Sequence, residues 1–302
     1  MKYKVFVVMV IYNGERWIDS CFTSLNKSVL PLNIVAVDNN STDNSLKKIE
    51  SSYQDVILIK NDNNAGFGGA NNQGIEYALK KNADYVFLLN QDTRIEPDTI
   101  QKLIDFHNKY PENGIISPIH LNGNGSDLDK NFLNCTPFKS LEDVYNNSIK
   151  VRTNFVNAAA WLLSKECILK IGGFDPLFTH YGEDRDFCNR VLFHNFQIAI
   201  CSNAFIYHDR FYNSNNPFRK NKSLLLSAGL AQIKNINHTV VINFFKWIIN
   251  RSPKIFKYLV TFRWGRLYTE FFVLTKLLLY LPKLYKHRGL SRNTDFTFFK
   301  KL

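Results

Sequence analysis

The chain begins with an unbroken apolar run, Val5–Ile11, that stops at Tyr12-Asn13-Gly14. Seven apolar residues without polar alternation predict a strand covered on both faces, as in a parallel sheet. Residues 15–25 then bring Trp17, Ile18, Cys21, Phe22 and Leu25 to one side of a helix. The alternation repeats: residues 33–37 and 56–60 read as the second and third strands, and Tyr85–Leu89 as the fourth. Between them, Ser41 or Thr42 is expected to cap a helix through Leu46 and Ile49, and another helix is expected from about residue 70 to 80. Strands separated by single helices imply right-handed crossovers, hence an α/β fold with a mainly parallel central sheet flanked by helices.

Past residue 90 the pattern is sparser. Pro97-Asp98 opens a helix over Thr99–Lys109, and a strand is expected over 114–118. Residues 120–150, centred on Gly123-Asn124-Gly125-Ser126, carry no clear period and read as a long loop or flap. Residues 155–163 read as an apolar strand and 166–171 as a helix closed by Gly172-Gly173. A helix over 186–193 and two late strands, 197–201 and 204–207, follow. From residue 218 the chain reads as helical almost to its end, so a domain over 1–217 and a helical region over 218–302 are expected.

Composition changes this picture in one place. The net charge of +12 is concentrated in the tail, where residues 240–302 hold 13 Lys and Arg against 2 Asp and Glu. The five cysteines show no metal-ligand spacing, no apolar leader precedes a cleavage site, and a reduced, cytoplasmic setting is expected. In the tail, Lys246, Arg251, Lys254, Lys257, Arg263, Arg266, Glu270 and Lys276 interrupt every apolar stretch before it could span a bilayer. Trp, Phe and Leu mixed with Lys and Arg suit a helix lying at a membrane surface; a helical subdomain packed on the sheet is the alternative. Nucleic acid is not expected, because the basic residues lie among aliphatic ones.

The chemistry-bearing residues sit where strands end. Ligands of open α/β sheets bind outside the carboxyl ends of the strands, and Tyr12-Asn13-Gly14, 38–43, 64–72 and Asn90-Gln91-Asp92 all lie there. Asp38 can accept from a pyrimidine N–H or a ribose hydroxyl, and Gly66, Gly68 and Gly69 permit close backbone approach. No phosphate-loop pattern of the G-x-x-x-x-G-K-[ST] type is present. Asp92 is a candidate ligand for a divalent cation, Mg2+ or Mn2+, and His208 a candidate further contact. In Gly182-Glu183-Asp184-Arg185-Asp186, adjacent carboxylates can shift one another's pKa and leave one suited to base chemistry.

In order and spacing, VMVIYNGE, VAVDNNSTDNS, NNAGFGGANNQGI, FLLNQD, GGFDPLF and GEDRDFC resemble the family 2 inverting glycosyltransferases of the GT-A (Rossmann-like) fold. Rhamnosyltransferase-like enzymes of bacterial surface polysaccharide synthesis are the nearest likeness, over about residues 3–215. The resemblance implies that Tyr12, Asn13 and Asp38 cradle a nucleotide base and that Asn64, Gly66, Asn72, Asn90 and Gln91 line the donor site. It implies Asp92 and His208 as metal ligands, Asp184 as the catalytic base, and Asn157, Trp161 and Glu183 on the acceptor side. The family's first DxD acid is Asn90 here, which weakens the case for metal dependence. The implied reaction moves a sugar from a UDP- or dTDP-linked donor to a saccharide, lipid-linked acceptor, with inversion. Two rivals remain: a non-catalytic sugar-nucleotide or glycan-binding module, and a sugar-nucleotide pyrophosphorylase. The second would carry a basic, glycine-rich loop after the first strand, and no Lys or Arg precedes Arg16 there.

Overall fold

The computed structural model describes residues 3–146, 149–179, 181–210, 217–294 and 298–299. In chain order the elements begin with β1 (Val5–Ile11), α1 (Glu15–Asn26), β2 (Asn33–Asp38), α2 (Ser45–Ser52), β3 (Ile57–Lys60), α3 (Gly66–Lys80) and β4 (Tyr85–Leu89). Then come β5 (Thr93–Ile95), α4 (Thr99–Lys109), β6 (Asn113–Asn122), α5 (Lys130–Leu133), α6 (Leu141–Asn146) and β7 (Lys150–Thr153). They are followed by β8 (Ala160–Ser164), α7 (Lys165–Ile171), α8 (Glu183–Phe193) and β9 (Gln197–His208), with α9 (Pro217–Lys234), α10 (Val240–Val260) and α11 (Trp264–Arg292) last.

The strands form one sheet in the order β3-β2-β1-β4-β8-β6-β9-β5, with β7 on the same edge of β9 as β5. The first four are parallel, as continuous apolar runs require. β8 enters antiparallel between β4 and β6, while β6 and β9 are parallel. Both faces are covered. Val5, Val7, Met9 and Ile11 of β1 pack with residues of α1 and α4, and Phe6 and Val8 pack on the opposite side with residues of α3. Each such fully buried aliphatic side chain contributes about 1.5–3 kcal/mol. Along β9 the ladder to β6 shifts: Cys201 pairs with Pro118, and the next pair is Phe205 with Ile119.

Several expectations are corrected. Helix α2 begins after Asn44 without a side-chain cap, because Ser41 and Thr42 bond to Asn13 instead. Helix α3 starts at Gly66 rather than near residue 70. Gly66 (φ +74) and Gly68 let it lie against Thr179 and Phe174; a Cβ at either would fall 2.6 and 2.9 Å from them. The stretch 120–150 holds the end of β6 and the short helices α5 and α6, with 147 and 148 outside the described residues. In 155–163 only the part from Ala160 is strand, and the two late strands are one, β9.

The tail is helical as expected, and no described helix is long and apolar enough to cross a membrane. Leu230, Ile233, Trp247, Val273, Leu277 and Leu284 form a core of α9, α10 and α11, which also buries Leu177 and Phe178 from the sheet domain.

Candidate active site

At the ends of β1 and β2, Asn13 takes a left-handed conformation (φ 48) that asparagine tolerates. Its Oδ1 accepts from the Thr42 amide at 2.8 Å, its own amide donates to Ser41 Oγ at 3.1 Å, and the two loops are thereby latched. Tyr12 is left about half exposed beside them. Asp38 is buried; its Oδ2 accepts from the Ser41 amide at 3.3 Å, and its Oδ1 has no partner in the protein. An orphaned acceptor at a strand end suits a donor on a ligand.

Three expected donor-site residues are committed to the protein. Gln91 pairs both ways with Tyr12, its Oε1 accepting from the amide at 2.9 Å and its Nε2 donating to the carbonyl at 3.0 Å. Asn64 Oδ1 accepts from the Gly66 amide and from Asn39 Nδ2, both at 2.8 Å. Asn72 clamps Phe174, accepting from its amide at 2.7 Å and donating to its carbonyl at 2.8 Å. Asn39 is the hub of these loops, a residue with no role expected from its sequence context. It is buried, and its Oδ1 accepts from the Ala65 amide and from Asn61 while its Nδ2 holds Asn64. Three consecutive polar residues closing a strand, Asp38-Asn39-Asn40, were the available signal.

Antiparallel pairing of β5 with β9 sets Thr93 opposite His208 and so brings Asp92 to the histidine. His208 Nε2 lies 3.2 Å from Asp92 Oδ1, yet neither ring nitrogen of this buried histidine makes a directed hydrogen bond. An unsatisfied imidazole facing a carboxylate fits a divalent cation. Among the described residues no third His, Cys, Asp or Glu completes a cage, so phosphate oxygens would fill the other positions, as is usual for Mg2+. Just beyond, the Asp209 amide donates to the Asp92 carbonyl at 2.8 Å. Arg210 grips the buried Asp129 with Nε to Oδ2 at 2.6 Å, tying this segment to the start of α5.

An open cleft of about 560 Å3 lies at the end of β4, and Asn90, Asn157, Glu183, Asp184, Arg185 and Arg210 are among its walls, while Asp92 lines a neighbouring cavity with Ser20, Arg94 and Asp209. Gly182, in a left-handed conformation (φ +91), turns the chain into α8 and points its first residues at the cleft. Asp184 is half-buried and accepts from the Arg185 amide at 2.7 Å; burial pushes its pKa above the ordinary carboxylate range. Burial, helped by the Asp184 charge, pushes Glu183 up to about 7, and its Oε2 has no partner. Asn157 Oδ1 is likewise unpartnered. Arg185 lies over the Phe155 ring at 3.4 Å from its centroid. Trp161 does not reach the cleft. It is fully buried and stacks on Phe174 at 6.2 Å, so its place is in the core and not under an acceptor sugar.

A sheet of this topology with acids at the ends of β4 and α8 is the GT-A glycosyltransferase fold. The *Staphylococcus aureus* TarS fragment 1–349 superposes with a TM-score of 0.57 at 16% identity, covering 82% of this chain and 73% of that one. Residues 6–171, more than half of the sequence, match the family model for glycosyl transferase family 2, and the chain belongs to that family. It is 27% identical over 203 residues to the low-salt glycan biosynthesis hexosyltransferase Agl10 of *Haloferax volcanii*, a match covering 65% of this chain and 64% of that protein. To the dTDP-rhamnosyl transferase RfbF of *Shigella flexneri* it is 27% identical, over 80% of this chain and 89% of the relative. To the N-acetylglucosaminyl-diphospho-decaprenol L-rhamnosyltransferase of *Mycobacterium tuberculosis* it is 24% identical, over 61% and 69%.

Proposed function

We propose that this glycosyltransferase moves a sugar from a UDP- or dTDP-linked donor onto a saccharide acceptor, with inversion at the anomeric carbon, in surface polysaccharide synthesis. One observation carries the reading: Asp184, with its raised pKa, faces the same cleft as Asn90, two residues before the Asp92–His208 pair. Asp184 takes the proton of the acceptor hydroxyl as that oxygen bonds to the anomeric carbon, and the carbon–phosphate oxygen bond breaks on the opposite side. A base held in a partly dry cleft is stronger than one in water. Asp38 receives the pyrimidine N–H beside Tyr12, and Asn13 latches the loop after β1, which carries Tyr12, to the loop after β2, which follows Asp38. A divalent cation held by Asp92 and His208 would neutralise charge on the departing nucleoside diphosphate. Glu183 and Asn157 present their unpartnered oxygens to acceptor hydroxyls. Calorimetric titration of the protein with UDP and with dTDP, each with and without Mn2+, tests the reading. Binding of one of them that depends on metal is expected; binding of neither would overturn it.

A lipid-linked acceptor and a station at the inner face of the cell membrane complete the proposal. The outer side of α10 leaves Val241, Phe245, Ile249, Phe256 and Val260 exposed, and Phe262 and Trp264 stand out at the turn into α11, 73% and 62% exposed. Lys246, Lys254, Lys257, Arg263 and Arg266 accompany them in the exposed part of the same hairpin, while the acid nearby, Glu270, is buried against Arg251. Apolar area ringed by exposed cations matches an anionic leaflet. The mycobacterial relative's name describes a lipid-linked acceptor, which agrees with this surface. The protein is expected to sediment with phosphatidylglycerol vesicles but weakly with phosphatidylcholine ones. Replacing Phe262 and Trp264 together by serine is expected to reduce that binding about tenfold or more, since each ring buries about 1.5–3 kcal/mol of apolar surface. Unchanged binding would place the docking surface elsewhere.

A non-catalytic glycan-binding role is the second reading, favoured by the amide at Asn90. Metal-dependent nucleotide binding without turnover would select it.

A further inference from the structure

Two acids of the sequence motifs face away from the cleft. Asp175, in the turn after α7, and Asp186, two residues beyond Asp184, are each 1% exposed. One cation serves both. Lys234 of α9 is wholly buried, with Nζ 2.8 Å from Asp175 Oδ2, 2.5 Å from Asp186 Oδ1 and 2.8 Å from Ser291 Oγ of α11. The ammonium donates to Asp186 Oδ1 and Ser291 Oγ, and holds Asp175 Oδ2 by charge at ion-pair distance, without a directed hydrogen bond. The remaining carboxylate oxygens are also taken: Asp175 Oδ1 by His287 Nδ1 at 2.6 Å, and Asp186 Oδ2 by Arg190 Nε at 3.0 Å. Arg190 in turn donates to the carbonyls of Ile171 and Gly173 at 2.8 and 2.7 Å.

Buried ion pairs rarely stabilise a fold more than apolar packing would, but their geometry is specific. Here the geometry is that of the first turn of α8, which contains both Asp186 and Asp184. Backing is direct as well: a Cβ at Gly182 would lie 3.0 Å from the Ser227 carbonyl of α9. On the other side the turn at 173–174 is clamped to α3 by Asn72. The start of α8 is thus held between the sheet domain and the C-terminal helices.

We infer that Lys234 is a positioning residue for Asp184, so that α9 and α11 belong to the catalytic unit and set the placement of the acceptor-side base. This rests on the reading of Asp184 as that base.

The test uses the full chain with Lys234→Met, which removes the ammonium and keeps a long side chain. A tenfold or greater fall in kcat is expected, with nucleotide affinity within twofold of wild type and the acid limb of the kcat–pH profile displaced. Asp186→Asn should act on the same unit, so the double variant is expected to be no worse than about twofold below the poorer single one. Wild-type kcat with a lowered melting temperature would overturn the inference, as would a fall in nucleotide affinity matching the fall in kcat. Should Lys234→Met fail to fold, Ser291→Ala leaves both ion pairs in place; a two- to threefold lower kcat at unchanged affinity is expected, and wild-type kcat overturns the inference. Full transfer activity in Asp184→Asn would instead remove the base assignment itself, whatever Lys234 does.

Discussion

Replacing Asp184 by asparagine is expected to lower kcat for sugar transfer by about 10²–10⁴-fold, the range associated with a positioned general base. The substitution is close to isosteric, and an amide oxygen can still accept from the Arg185 amide as the carboxylate does. Tyr12, just after β1, and Asp38, at the end of β2, where the nucleotide is proposed to bind, are untouched. Nucleotide affinity should therefore stay within about twofold while turnover disappears. In the wild type, kcat should fall on the acid side at a pH above the ordinary carboxylate range, because Asp184 must be ionised to act and burial raises its pKa. Equal losses of affinity and turnover in single-turnover and titration experiments would make Asp184 a structural residue.

Asp92→Ala is expected to have the second large effect. A carboxylate that would contact the cation directly should matter at least as much as the outer groups that orient such ligands, whose loss costs about 10- to 100-fold in metal affinity. Titrations with the bound nucleotide in the presence of Mn2+ should show at least a 100-fold weaker complex. Without metal, wild type and variant should bind alike. The variant also relieves His208 of its only close carboxylate among the described contacts, 3.2 Å away. Wild-type affinity with Mn2+ would remove Asp92 from this role.

The parallel half of the sheet was legible because its cause is local. Val5–Ile11 and Tyr85–Leu89 can be buried on two faces only as interior strands. The polar residues at their ends, Asn13 and Asn90-Gln91-Asp92, stood out for the same reason: a polar residue following such a run has no core to enter. What was not legible depends on partners far along the chain. Gln91 and Asn72 have amides as suitable for a ligand as for the backbone, and Tyr12 and Phe174, 79 and 102 residues away, claim them. Trp161 reads as a sugar platform or a core residue with equal ease until Phe174 and Phe187 are packed on it. The antiparallel insertion of β8 leaves no local trace either, because strand order follows from how the layers close and not from propensity. Lys234 lies in a stretch that sequence marks only as helical, and only the fold brings Asp175 and Asp186 to it.

The shift in the β9 ladder has a consequence for the proposed cation site. Before it, Ala199 and Cys201 face the α1 and α4 side of the sheet; after it, Ala204 and Ile206 do. Odd-numbered side chains hand that face over to even-numbered ones between Cys201 and Ala204. His208 follows Ile206 by two residues along the same strand. Three residues without counterparts on β6 therefore act as a phase change that selects which side chain meets Asp92. Losing one residue from Ser202-Asn203-Ala204 would restore the wrong parity and turn the imidazole away, with no ligand substituted. The identity of the histidine and the length of the irregularity before it are one specification.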